Sequence, residues 1–316
     1  IAQIDALIAA QPGNPYFHEL KAQAYLDAGR VKDAAAAFRK AVGLAPSSGL
    51  LRILLGQALV ASGSSGDYDE AIKWYRKAAE QGYANAQATM GWFTREGLGT
   101  AQDYNASLDW YRKGADGGDI NAMSSVGYAY QSGLGVPVDF VEARKWYEKA
   151  AAQNDYYSMA SLGWLYDVGN GVKQDYVAAL DWYEKAANGG NTYAMGNLSR
   201  LYDQGLGTRA NPKEAARWAA ASVEGGDQGK LQELKGSPAN FTPQFRKEFQ
   251  QILKSRGYSS GPIDGDFGSS TQSAIDRLAA RTCAGRPNPR RQAAGNARFQ
   301  RLLFKLRMAG RMMRFA

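Results

Sequence analysis

The chain has 316 residues, 45% hydrophobic and 22% charged, with one His and one Cys. It therefore has apolar material for packed cores, and neither an internal disulfide nor a metal site built mainly of His and Cys is open to it. Its net charge of +8 is local: residues 281–316 carry ten basic and no acidic side chains, while 67–226 carry 15 basic and 20 acidic, so charge does not make the body of the chain a nucleic-acid binder. No apolar run is long enough to span a bilayer. The chain begins at Ile1 with neither Met nor signal peptide, which reads as a mature or truncated product whose export signal is out of view.

The first segment, 1–66, reads as paired helices. Pro12 and Pro46 stand 34 residues apart, Ala22 and Tyr25 fit a first helix, and Ala34, Phe38 and Ala41 fit a second. This arrangement resembles the tetratricopeptide repeat. Leu55-Gly56 opens another unit, and Ser62-Gly63-Ser64-Ser65-Gly66 forms a flexible connection to the helix carrying Trp74. The same part is similar to the tail of some periplasmic metallopeptidases. However, His18-Glu19 lacks the second His of a His-Glu-x-x-His zinc site.

From 67 to 226 the sequence repeats with a step of 36: Trp74-Tyr75, Trp110-Tyr111, Trp146-Tyr147, Trp182-Tyr183, then Trp218-Ala219. Gly97, Gly133, Gly169 and Gly205 keep the same step, as do Gly99, Gly135, Gly171 and Gly207, and so do Asp103, Asp139, Asp175 and Asn211. Ala79, Ala115, Ala151 and Ala187 form a further column. Each unit predicts two helices. One opens on an N-cap Asp and ends near Gly117; the other spans about 121–133 and ends in Gly-x-Gly, whose residues can take positive φ. One pair is too small to be stable, so neighbours must stack. The Trp-Tyr pairs read as core between units.

This pattern resembles the Sel1-like repeat, a tetratricopeptide relative, and Met159–Gly190 is the nearest copy. The fifth unit departs at Ser199, Asn211 and Ala219, as suits a terminal capping repeat. The resemblance implies an all-α fold, a right-handed superhelical solenoid of helix-turn-helix repeats, with a small three-helix C-terminal module. If the first helix of each unit lines the concave face, three rows meet there. They are Trp92, Tyr128, Trp164 and Arg200; then Arg95, Gln131, Asp167 and Asp203; then Asn85, Asn121, Tyr157 and Tyr193. Such a groove would receive a protein or peptide segment. The alternative is that Trp92 and Trp164 only fill gaps between helices.

After Gly226 the period stops. Phe249, Ile252 and Leu253 predict an amphipathic helix ending at Gly257-Tyr258, and a second helix begins near Ser269 with Thr271, Ala274, Ile275 and Leu278. Between them lies Gly261-Pro262-Ile263-Asp264-Gly265-Asp266-Phe267-Gly268, a tight loop with Ile263 and Phe267 pinned into a small core and Asp264 bonding loop amides. Residues 241–281 resemble the three-helix peptidoglycan-binding domain, which implies a wall-binding loop of Tyr258, Asp264, Gly265, Phe267, Gly268 and Thr271. Asp264 and Asp266 are not an EF-hand, because the closing Glu is missing. In place of the family's third helix the chain runs into an Arg-rich tail, 282–316. A helix there, with Phe299, Leu302, Leu303, Leu306 and Met313 on one side, would suit an anionic membrane or acidic polymer. A solvated extension, a reading-frame change or a fusion also fits its composition.

The repeats hold no clustered nucleophile and base, and the lone His18 suits packing or capping, so no catalytic residue, metal or cofactor is expected. The reading is a non-catalytic scaffold that binds a partner protein on its concave face and is anchored through peptidoglycan in the periplasm or at the cell surface of a bacterium. Two rivals remain open. One is the targeting part of a larger cell-wall hydrolase or periplasmic metallopeptidase; the other is an intracellular regulatory adaptor.

Overall fold

The structure, a computed structural model, describes residues 1–259 and 261–281. The predicted tail, 282–316, with its amphipathic helix, lies outside the described residues, as does Cys283. Among the described residues there are sixteen α-helices and no strand. In chain order they are α1 (Ala2–Ala10), α2 (Pro15–Asp27), α3 (Val31–Leu44), α4 (Gly49–Ser62), α5 (Ser65–Glu80), α6 (Ala84–Glu96), α7 (Tyr104–Asp116) and α8 (Ile120–Ser132). They continue with α9 (Phe140–Ala151), α10 (Tyr156–Val168), α11 (Tyr176–Asn188), α12 (Thr192–Gln204), α13 (Pro212–Glu224), α14 (Gln228–Gly236), α15 (Pro243–Ser255) and α16 (Ser269–Ala280). The protein is an all-α repeat solenoid, as its periodicity predicts. Two compact units divide it, Ile1–Ala186 and Ala187 onward.

In the first unit each helix from α2 to α10 packs on its neighbours in sequence, the nearest-neighbour scheme of a solenoid. Ala22, Phe38, Leu55, Tyr75, Met90 and Phe93 belong to one continuous core, so α2 to α6 share an interior without a linker. Side-chain caps set the helix starts. Asp103 accepts from the Ala106 amide at 3.0 Å and Asp139 from Glu142 at 2.9 Å. A second capping column, Asp119 and Asp155, starts α8 and α10. The helices that begin at this second column end in Gly-x-Gly, where Gly133 and Gly135 take φ of 70° and 76°. A Cβ on Gly135 would lie 2.5 Å from the Tyr104 carbonyl oxygen, so the turn seats directly on the start of α7.

One glycine column sets the spacing between helices. A Cβ on Gly91, Gly127 or Gly163 would lie 2.7–2.8 Å from the ring of Tyr111, Tyr147 or Tyr183. Each tyrosine ring therefore crosses the inner helix where that helix has no side chain, and all three rings are buried. Burying such a ring contributes about 1.5–3 kcal/mol. The Trp-Tyr pairs are only half core, which corrects the sequence reading. Adjacent helical residues point about 100° apart, so Tyr faces in. Trp74, Trp110, Trp146 and Trp182 stay half-buried, each with the lysine three residues on held 3.9–4.8 Å from its ring.

In the second unit the fifth repeat changes both members of the glycine–tyrosine pair, to Ser199 and Ala219, and both are fully buried. The larger residue on α12 is matched by a smaller one on α13. The register runs one helix further than expected: Asp227 continues the second capping column and accepts from the Lys230 amide at 3.0 Å, starting α14. Leu234 of α14, the alanines of α13, and Phe241, Phe245, Phe249, Phe267, Ile275 and Leu278 then close one core. Besides α15 and α16, two helices upstream of the loop, α13 and α14, complete this core, in place of the expected three-helix module. Phe241, Phe245 and Phe249 stack with ring centroids 4.4 and 5.9 Å apart. Asp203, buried at the end of α12, accepts from the Thr242 amide at 3.0 Å and from the Thr242 hydroxyl. That hydroxyl in turn accepts from the Phe245 amide at 3.1 Å and caps α15.

Candidate functional site

Two cavities lie against the inner helices of the first unit. One, of about 590 Å³, is lined by Arg95, Glu96, Gln102, Tyr104, Ser124, Ser125, Tyr128, Leu134 and Tyr157. The other, of about 450 Å³, is lined by Asn85, Thr89, Trp92, Asn121, Tyr75, Tyr111 and again Arg95 and Ser125, among others. Arg95 and Ser125 belong to both. Six of the residues expected in the groove are thus brought together: Asn85, Trp92, Arg95, Asn121, Tyr128 and Tyr157.

The glycine–tyrosine packing supplies the floor. Because Gly91 lets the Tyr111 ring cross α6, that ring reaches the wall of the cavity that Ser125 also lines. One repeat on, the Tyr147 hydroxyl donates to Gln131 Oε1 at 2.9 Å, and the Ser161 hydroxyl donates to the Tyr157 carbonyl at 3.0 Å. Burial pushes the Tyr111 and Tyr147 phenols above their ordinary range, and Tyr157, though 46% exposed, is shifted the same way; at neutral pH a phenol is protonated even without such a shift and can donate. Arg95 is always charged. Its Nε donates to Glu96 at 2.8 Å, and its side chain is 28% exposed.

The other expected groove residues have different surroundings. Gln131 is held by Tyr147, and Trp164 packs on the Phe140 ring at 6.0 Å. Asp167 accepts from the Tyr183 hydroxyl at 3.4 Å. In the second unit Tyr193 is exposed and Arg200 half-buried. Asp203 is 4% exposed and accepts from Thr242, so it anchors the residue that caps α15 and does not face a groove. The sequence reading missed Thr89 and Ser125. Their signal was present, since Thr89, Ser125, Ser161 and Asn197 form a polar column four residues after Asn85, Asn121, Tyr157 and Tyr193, on the same helix face.

The C-terminal loop is built around a side chain that the sequence reading did not single out. Gln250 is buried, and its Nε2 donates to Asp264 Oδ1 at 3.0 Å, the Asp266 carbonyl at 2.7 Å and Thr271 Oγ1 at 3.2 Å. Its Oε1 accepts from the Gly265 amide at 2.7 Å, where φ is 84°. As expected, Asp264 bonds a loop amide, accepting from Asp266 at 2.8 Å. The Gln250 amide and the Asp266 amide hold the Asp264 carboxyl below its usual range. Phe267 is buried against Phe249, but Ile263 is 37% exposed. The expectation of an inward Ile263 is corrected: the inside of the turn is filled by the Gln250 amide, which leaves the apolar side chain outside. Gly265, Phe267 and Thr271 are likewise buried and act as the loop's frame. Asp264 and Gly268 are exposed, and Tyr258 is half-buried, its hydroxyl accepting from Arg281 at 3.2 Å.

Stacked two-helix repeats with an inner wall of polar and aromatic side chains, ending in a loop-and-helix module, define a repeat-scaffold class of protein. Within that class the chain belongs to the Sel1 repeat family, whose pattern matches 54–83, 84–119, 120–155, 157–191 and 192–227, more than half of the chain. A tetratricopeptide repeat matches at 16–48 and a peptidoglycan binding domain at 242–278. No curated protein sequence matches the chain. Two solved structures are similar. A Sel1 repeat protein from Oxalobacter formigenes has 25% identity and a TM-score of 0.67, covering 83% of this chain and 96% of its own. A protective antigen of uropathogenic Escherichia coli strains, displaying an SLR fold, has 25% identity and a TM-score of 0.65, covering 95% of this chain and 67% of its own.

Proposed function

We propose that the protein is a non-catalytic interaction scaffold that holds a segment of a partner protein in the two cavities of its inner face. Its C-terminal module binds peptidoglycan, which places it in the periplasm or at the cell surface of a bacterium. The observation that carries the reading is the sorting of side chains along each inner helix. Small residues and glycine face the neighbouring helix, while Asn121, Ser125 and Tyr128, at i, i+4 and i+7, turn an aromatic and hydrogen-bonding stripe to the cavities. The match to a peptidoglycan binding domain supports the anchor, with Ile263, Asp264 and Gly268 as its exposed contact points.

Co-sedimentation with isolated peptidoglycan sacculi tests the anchor. The full chain is expected to pellet with sacculi, and Ile263→Ser to pellet less while keeping its helical circular-dichroism spectrum. A chain that stays in the supernatant removes the anchor from the reading. Phe267→Ala is a poor probe, because it opens a hole in the core.

A further inference from the structure

We infer that the cavities around Arg95 select a partner segment by an acidic side chain, Asp or Glu, in the interior of an extended stretch. The inference rests on the concave-face reading above and names its chemistry. Arg95 lines both cavities. Its guanidinium Nε is occupied by Glu96, and among the described residues no acceptor reaches Nη1 or Nη2. A guanidinium with both NH2 groups free, one N–H from each side by side, matches a carboxylate in bidentate geometry.

Each cavity also carries one acid, Glu96 in the larger and Asp119 in the smaller, and both are engaged, Glu96 by Arg95 Nε and Asp119 by the Ala122 amide that it caps. Tyr111 and Tyr128 lie close enough to Arg95 to act on its charge, and Arg95 on that of Tyr157. The Tyr111 and Tyr157 phenols are protonated at neutral pH. With the Ser125 hydroxyl they give a carboxylate O–H donors beside the guanidinium, in a setting where half-burial strengthens each bond. Glu96 faces Arg95 from the rim and repels a carboxylate that approaches from that side. The ligand's acid is therefore directed past Glu96, onto the Nη side.

The position of Arg95 between the cavities places the acid within the segment and not at its end. The volumes, about 590 and 450 Å³, each exceed one side chain and leave room for residues on both flanks. Trp92, in the smaller cavity, offers an aromatic surface to one flank.

The test selects random linear peptides on the full chain and measures the binders by fluorescence polarisation. The expected result is a common interior Asp or Glu. Changing it to Asn or Gln, or making Arg95→Gln, should each weaken binding about ten- to a hundredfold. The two changes together should cost little more than either, Arg95→Lys should bind with intermediate affinity, and amidating the peptide C terminus should change nothing. Binders without an acid, or binders that ignore Arg95→Gln yet weaken on Trp92→Ala or Tyr128→Ala, overturn the acidic preference and leave the concave reading standing. Binders indifferent to all three variants, displacement by soluble peptidoglycan fragments, or a selection that yields no binder overturn both.

Discussion

Arg95 and Asp203 occupy the same column of the repeat in different compact units, and the structure uses them in opposite ways. Arg95, which lines the cavities, leaves both guanidinium NH2 groups unengaged, whereas Asp203 is buried and commits both carboxylate oxygens to Thr242. The column fixes a direction, toward the inner surface at the end of the inner helix. What the residue does there depends on the helices packed beside it. In the first unit the inner surface is left to solvent; in the second, α15 begins beside the position and makes it the anchor of the Thr242 cap.

The sharpest way to break this comparison is Asp203→Ala. It should lower the stability of the second unit by about 3 kcal/mol, because a buried amide and a hydroxyl lose a charged acceptor, seen as an earlier urea transition. Arg95→Gln, at the matching position, should move stability by less than about 0.5 kcal/mol.

Next in size is Gln250→Ala, with an expected loss of about 2 kcal/mol from the orphaned Gly265 amide and the freed loop acceptors. It also carries a titration signature. The Asp264 carboxyl is held low in the folded state, so its contribution is present above the unfolded value of about 3.9 and fades as pH falls through the folded pKa. In Gln250→Ala the Asp264 midpoint should rise toward the ordinary range, as followed by carboxyl NMR. An unmoved midpoint would mean that the loop is held by other bonds.

Gly127→Ala should cost about 1–2 kcal/mol, since its Cβ would sit 2.8 Å from the Tyr147 ring. Adding Tyr147→Phe should not rescue it, because the ring stays. Gly127→Ser with Tyr147→Ala copies the fifth repeat and should cost less than the two single changes added together. Strict additivity would show that ring and glycine are not coupled.

The smallest effect is expected at Asn154, which takes φ of 64° where Gly82, Gly118, Gly190 and Gly226 take 86–95°. Asn154→Gly should stabilise by a few tenths of a kcal/mol at most, the relief of a left-handed conformation being set against added chain entropy. A loss of stability would show that the Asn side chain offsets its own strain.

The array was legible in the sequence because its signals are local. The capping Asp103 and Asp139, the turn glycines and the Tyr column each act within one or two helices, and a step of 36 repeats them. That Asn85, Trp92, Arg95, Asn121, Tyr128 and Tyr157 share a lining was legible for the same reason, as a helix face is a matter of spacing. Gln250 was not, because its importance comes from meeting Asp264, Gly265 and Thr271 across a loop, and nothing in its own helix marks it. Asp203 was misread for a related cause. Its role is set by Thr242, 39 residues later, whose approach no repeat pattern encodes. Ile263 and Phe267 look alike as apolar loop residues, and only the amide filling the turn separates them.

The most direct measurement pairs urea unfolding with binding of a selected acidic peptide in Arg95→Gln and Asp203→Ala. If Arg95 is the acid-binding group of the first unit's inner surface, Arg95→Gln loses peptide binding at unchanged stability, and Asp203→Ala loses stability while its folded fraction binds with wild-type affinity. Wild-type peptide affinity in Arg95→Gln, or lost affinity in folded Asp203→Ala, would contradict it.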